Sequence, residues 1–168
     1  MNTKEGAKVN MHKMKPVKLD DLVGEIEMQI DDTLTFINIT SGEVITLTRE
    51  EYSAAEDEKP LDKFPEWQKE NIEKAIRIIE DEDEIYVDFT LKNDFNEYEI
   101  IEDFIGTLED GDIREELFEA IQGRGAFRRF KDGIIEHGVD KLWYKYKKSK
   151  IKDFVIEWCK DNDIEIQE

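Results

Sequence analysis

Within the first fifty-odd residues the spacing of apolar side chains changes from helical to alternating and back, and that change restricts the chain to a mixed fold. Leu19, Leu22, Val23, Ile26 and Ile30 recur at three- and four-residue intervals, which places them on one face of an α-helix. Thr33-Leu34-Thr35-Phe36-Ile37-Asn38-Ile39 and Val44-Ile45-Thr46-Leu47 then concentrate β-branched residues on either side of Ser41-Gly42, the pattern of a β-hairpin. Helical spacing is firm again at Ile72, Ala75, Ile76 and Ile79, with Pro65 placed for a first helical turn. Ile85-Tyr86-Val87-Asp88-Phe89 predicts one more strand, and every periodic segment after it is helical. The expected fold is α+β: a small antiparallel sheet (the hairpin near 33–47 plus a strand near 85–90) packed with several amphipathic helices, the C-terminal half all helical.

Local signals set the boundaries. Thr48 with Glu51 fits a capping box, in which hydroxyl and carboxylate satisfy each other's backbone N–H groups, so a short helix is expected to carry Tyr52 to Asp57. Asn96 with Glu99 repeats the pattern ahead of the stripe Tyr98, Ile101, Ile105 and Leu108. Asp110-Gly111 ends that helix and Asp112 is placed to cap the next, which runs through Ile113, Leu117, Ala120 and Ile121 to a left-handed stop at Gly123. A helix from Gly125 to Ile135 puts Phe127, Phe130 and Ile134 on its inner face. Another from Val139 to Trp158 carries Leu142, Trp143, Tyr146, Ile151, Phe154, Val155 and Trp158. Residues 1–15 lack periodicity and read as a flexible extension; residues 16–168 read as a single α+β domain.

Composition narrows the chemistry. The net charge of −19 predicts a soluble, acidic protein, and direct nucleic-acid binding is not expected of the chain as a whole because phosphates are repelled; the single cysteine and the N-terminal composition place the expectation in the cytoplasm. Cys159 is the single cysteine, which excludes an intramolecular disulfide framework and a cysteine-based zinc site. No apolar run reaches the roughly 20 residues that span a bilayer, and the N-terminus lacks a signal-peptide core. The acidic runs Glu56–Glu58 and Glu80–Glu84 lack the spacing of a calcium loop and read as solvated surface. His12 falls in the extension, and His137 before Gly138 reads as a helix-end residue bonded to terminal carbonyls. Cys159 reads as packing, and the three tryptophans as core or interface edge. No catalytic residue, metal ligand or cofactor emerges.

One segment stands apart. Gly123–Lys152 holds ten Lys and Arg against three acids, which leaves the remainder of the chain near −26. Helical spacing puts Arg124, Arg128 and Lys131 on one face, with Arg129 beside it, and Gly123 and Gly125 just before the helix free backbone N–H groups to converge on an anion. Two readings stand. In one, these cations pair with the protein's own abundant carboxylates and the glycines only turn a corner. In the other, Gly123, Arg124, Gly125, Arg128, Arg129 and Lys131 bind an external anion or partner.

The stretch Gly123-Arg124-Gly125-Ala126-Phe127-Arg128-Arg129-Phe130-Lys131-Asp132 resembles the signature of a bacterial uncharacterised protein family. Similar stretches occur at Lys15–Leu19, Pro65–Gln68, Asn96–Ile100, Trp143–Tyr146 and Ile156–Cys159, so the resemblance covers nearly everything from Met14 onward. It implies no activity and supplies no catalytic residues. The function expected from the residues is therefore a non-enzymatic interaction module that docks its cationic helical corner on an anionic partner, expected to be a protein. Two alternatives remain: an acidic nucleic-acid mimic that inhibits a DNA- or RNA-binding protein, and an enzyme acting on a phosphorylated or nucleotide substrate.

Overall fold

The computed structural model describes residues 14–28, 32–91 and 94–168, and the fold is α+β with seven α-helices among them. The chain packs as two compact units, one comprising residues up to Lys92 together with Val155–Glu168, the other Asn93–Phe154.

In the first unit β2 (Thr33–Asn38) is the central strand, paired antiparallel with β3 (Val44–Thr48) on one side and β4 (Tyr86–Asp88) on the other. The hairpin register sets Phe36 opposite Ile45 and Leu34 opposite Leu47. The reversal is held by Asn38, whose Oδ1 accepts from the N–H groups of Thr40 and Ser41, and Gly42 supplies a φ of +78°. Helix α1 covers Leu19–Met28 and buries Leu19, Leu22, Val23 and Ile26; Ile30 lies outside the described residues. The Thr48–Glu51 capping box forms as read, Glu51 N–H donating to Thr48 Oγ1 at 3.1 Å and Thr48 N–H to Glu51 Oε1 at 2.9 Å. It starts α2 (Arg49–Glu56). The second oxygen of the buried Glu51 accepts from Asn71 Nδ2 at 3.0 Å, so each carboxylate oxygen, though excluded from water, accepts one hydrogen bond.

Helix α3 (Glu66–Ile79) follows Pro65 and packs Ile72, Ala75 and Ile78 against Phe36, Ile45, Leu47, Ala54 and Ala55. Ile78, not Ile79, faces this core: the helix buries positions three apart, and Ile79 is rotated toward solvent. A feature not read from sequence is the parallel pair β1 (Val17–Lys18) with β5 (Ile166–Gln167). Lys15 N–H already donates to Ile39 O at 3.0 Å, while residues 1–13, and His12 with them, lie outside the described residues.

The second unit is built from α4 (Glu97–Gly106), α5 (Gly111–Ala120), α6 (Ala126–Glu136) and the part of α7 (Asp140–Asp161) that ends at Phe154. Asn96 caps α4 through Glu99 N–H. Asp110 rather than Asp112 caps α5, because its Oδ1 reaches the N–H groups of Asp112 and Ile113, whereas Asp112 is already helical. The core gathers Ile101, Phe104, Leu117, Phe130, Ile134 and Trp143. Phe104, Phe130 and Trp143 meet edge to face with centroids 5.0 to 6.3 Å apart, an arrangement that adds about 0.5–1.5 kcal/mol per pair beyond area burial. No described helix is long and apolar enough to cross a membrane.

Candidate cationic site

The corner between α5 and α6 is made by two glycines in the left-handed region, Gly123 at φ +74° and Gly125 at φ +77°. A side chain on Gly123 meets nothing within 4 Å, so its requirement is conformational alone; a Cβ on Gly125 lies 3.0 Å from Arg129 Nη1. Beyond the corner α6 returns closely against α5: a Cβ on Gly133 sits 2.7 Å from Leu117 Cδ2.

The predicted cations separate into two kinds. Arg129 turns back on the corner. Its Nε donates to Ala120 O at 2.7 Å, its Nη2 to Gln122 O at 2.6 Å and its Nη1 to Arg124 O. Three of the five N–H groups of one guanidinium are thus committed to carbonyls at and beyond the C-terminus of α5, where the helix dipole also favours a positive charge. Arg124, Arg128 and Lys131 differ: all are exposed, and no carboxylate of the described residues lies in ion-pair range of them. Arg128 and Lys131 stand on α6 at i and i+3, whereas Arg124 precedes the helix, in the corner itself.

The apolar side of α6 needs correction. Ala126, Phe130 and Ile134 are buried, but Phe127 is 48% exposed, with its ring edge-on to Tyr98 at 6.4 Å. The inner face runs 126, 130, 134, and Phe127, about 60° around the helix from Phe130, lies at its margin. An aromatic ring therefore stands among the unpaired cations.

The charge continues on α7. Lys141, Lys145, Lys148 and Lys152 fall at i, i+4, i+7 and i+11, a single face along which the described residues provide no salt bridge. Tyr144, 55% exposed, stands one turn from both Lys141 and Lys148. Of the ten cations in Gly123–Lys152, Lys147 alone is in a described ion pair, with Glu97 at 2.8 Å, and Lys150 lies over the Tyr146 ring at 5.4 Å. Internal pairing accounts for Lys147 and, through carbonyls, for Arg129; it does not account for the rest.

The remaining candidates sit elsewhere. His137 ends α6 with its backbone N–H on Gly133 O, but its imidazole goes to a carboxylate rather than to the terminal carbonyls: Nε2 meets Glu116 Oε2 at 2.7 Å, tying α6 to α5. Cys159 is buried, which pushes its thiol pKa up to about 11 and leaves it protonated at neutral pH. No three His, Cys, Asp or Glu among the described residues gather as a metal-binding set. A cavity of about 410 Å³ lined by Phe104, Leu108, Ile113, Val139, Leu142 and Tyr146 opens in the second unit. It lies toward the N-terminal end of α5, whereas the glycine corner follows its C-terminal end, roughly 15 Å along a ten-residue helix.

Sequence reasoning missed the clamp by Arg129 and the ladder on α7. The first has no local signature, since the three carbonyls precede the arginine by five to nine residues. The second was present as the spacing 141, 145, 148, 152, hidden inside a count of charges.

Compared with known proteins, residues 14–167 match the pattern of a family described as "Uncharacterised protein family (UPF0158)". The chain is also similar to the UPF0158 protein PA5073 of Pseudomonas aeruginosa, 28% identical over 67 residues, 39% of this chain. That match spans 44% of the relative's length. No solved structure matches.

Proposed function

Since the chain belongs to the uncharacterised protein family UPF0158, which brings no activity with it, we propose from the geometry alone that it is a non-enzymatic interaction module whose cationic corner docks on an anionic partner. Arg124, Arg128 and Lys131 supply the contact charge, Gly123 and Gly125 shape the corner, and Arg129 holds it in place. The segment 123–132 serves in this reading as the family's signature. The observation that carries the proposal is that, among the described residues, no carboxylate pairs with these three cations, in a protein with 43 acidic residues. Carboxylates are not scarce in this chain, so exposed cations that the described acids leave unpaired favour an external anion. The test is retention of partners by the wild type and by the Arg124→Ala/Arg128→Ala/Lys131→Ala variant at matched thermal stability. Loss of a partner is expected, and an unchanged set of partners refutes the proposal.

A second reading rests on the other half of the same unit. Residues 94–120 carry eleven acids against Arg114, and Glu99, Glu102, Asp103, Glu115, Glu116 and Glu119 are all exposed. A surface of that kind imitates a phosphate backbone, and salt-sensitive competition with DNA for a basic protein is its test.

A further inference from the structure

We propose that the anion recognised by this cationic surface is the backbone of a single-stranded nucleic acid, running along the α7 ladder with a base stacked on Tyr144. This rests on the reading of the corner as an anion-docking surface and names its partner. Four observations carry it.

The first is linear order. Lys141 to Lys152 spans eleven residues, about 16 Å of helix, with four lysines on one face. A strand at duplex spacing carries one charge every ~3.4 Å, so about five phosphates fit against the ladder. The second is composition. Lysine is depleted in the cores of protein–protein interfaces, where arginine and aromatic anchors dominate, whereas lysine point charges suit a flexible polyanion. An acidic protein partner is therefore the less favoured occupant of a face made of Lys141, Lys145, Lys148 and Lys152.

The third is the aromatic ring within the charge. Tyr144 on α7 and Phe127 on α6 are about half exposed, each with cations at neighbouring positions, and neither is needed to fill the core built around Phe104, Phe130 and Trp143. Unstacked bases have faces to offer such rings; duplex bases do not. The fourth is screening. The net charge of −19 argued against nucleic acid for the chain as a whole, but at physiological ionic strength charges act over only about 8 Å, so the sign of the local surface governs docking. From Ile121 to Phe154 that sign is positive, ten cations to four acids.

The experiment titrates the full chain into fluorescein-labelled dT20 and U20, with poly-L-glutamate as the acidic polymer lacking bases. Binding of an oligonucleotide at 50 mM salt is expected, with affinity falling as the third to fifth power of salt concentration if four to seven phosphates are neutralised. Tyr144→Ala should weaken oligonucleotide binding at least fivefold, Tyr144→Phe should restore it, and neither should alter poly-L-glutamate binding. Lys141→Ala/Lys145→Ala/Lys148→Ala should lower affinity and flatten the salt slope at unchanged melting temperature. Oligonucleotide binding that is indifferent to both Tyr144→Ala and the ladder variant overturns the inference. Binding of poly-L-glutamate that depends on Arg124, Arg128 and Lys131, with no oligonucleotide binding, overturns it while leaving the corner reading intact. Failure of all three polymers to bind removes both.

Discussion

Replacing Arg129 by alanine separates a cation that builds the fold from cations that are offered to a partner. The substitution removes three charge-assisted bonds to the carbonyls of Ala120, Gln122 and Arg124 and the positive charge beyond the end of α5. Buried bonds of this type contribute roughly 1.5–3 kcal/mol each, but the guanidinium is exposed and water replaces part of what is lost, so ~0.5 kcal/mol per bond is the appropriate scale. The interaction with the dipole adds about 0.3–1 kcal/mol. The expected loss is about 2 kcal/mol, which for a chain of this length lowers Tm by about 4–8 °C. Arg128→Ala removes an exposed arginine that has no ion pair among the described residues and should stay within about 0.5 kcal/mol of wild type. Arg129→Lys keeps the charge but replaces a planar fork by one ammonium, which cannot reach three carbonyls, and should recover less than half of the loss. Thermal unfolding by circular dichroism gives the stabilities, and hydrogen exchange of the amides from Ile121 to Arg129 localises the effect. If Arg129→Ala and Arg128→Ala are equally harmless, the clamp contributes nothing and the division of the cations into two kinds is wrong.

Other perturbations address the frame around that corner. Gly133→Ala gains up to ~1 kcal/mol of helix propensity but drives a methyl into Leu117, and since overpacking costs about 1–3 kcal/mol, a net loss of up to about 2 kcal/mol is expected in urea unfolding. Thr48→Ala opens the capping box of α2 and should cost about 1 kcal/mol, measurable as a shift in the denaturation midpoint with unchanged slope. The Cys159 thiol, raised from about 9 to about 11, binds its proton more tightly in the folded chain. Its stabilisation is therefore full below pH 9 and is lost as pH rises toward 11, up to ~2–3 kcal/mol, a slope that Cys159→Ala should remove. Native protein should also resist iodoacetamide at pH 8 and react once unfolded.

The sequence made the helices and the hairpin legible wherever a period ran for two turns or more: α3, α4 and α6 lie within a residue or two of their apolar stripes, and the capping box at Thr48 was readable because its two members are three residues apart. The β1–β5 pair was not, since two-residue strands 149 positions apart leave no period and no local turn. The same distinction governs the site. The glycines were legible because a left-handed backbone demands them, and the cluster of charge because it is contiguous in sequence. What Arg129 does with its charge was not, because it depends on where three carbonyls come to rest after α5 and α6 have folded together. Phe127 was misassigned for a smaller reason: it sits at the margin of the face made by Ala126, Phe130 and Ile134, where helical spacing alone does not separate core from solvent.

The parallel contact between Val17 and Ile166 also sets an order of events during synthesis. The second unit is one continuous stretch, Asn93–Phe154, with helices joined by short corners, and all its partners have left the ribosome once α7 emerges. The first unit is interrupted: its three-stranded sheet lies wholly within residues 33–88, but β1 waits for β5, a closure over 149 positions and the slowest kind of contact to find. The helical unit that carries the cations is thus able to form while the nascent chain is still attached, and the sheet-bearing unit gains its second, two-stranded pairing only when β5 arrives.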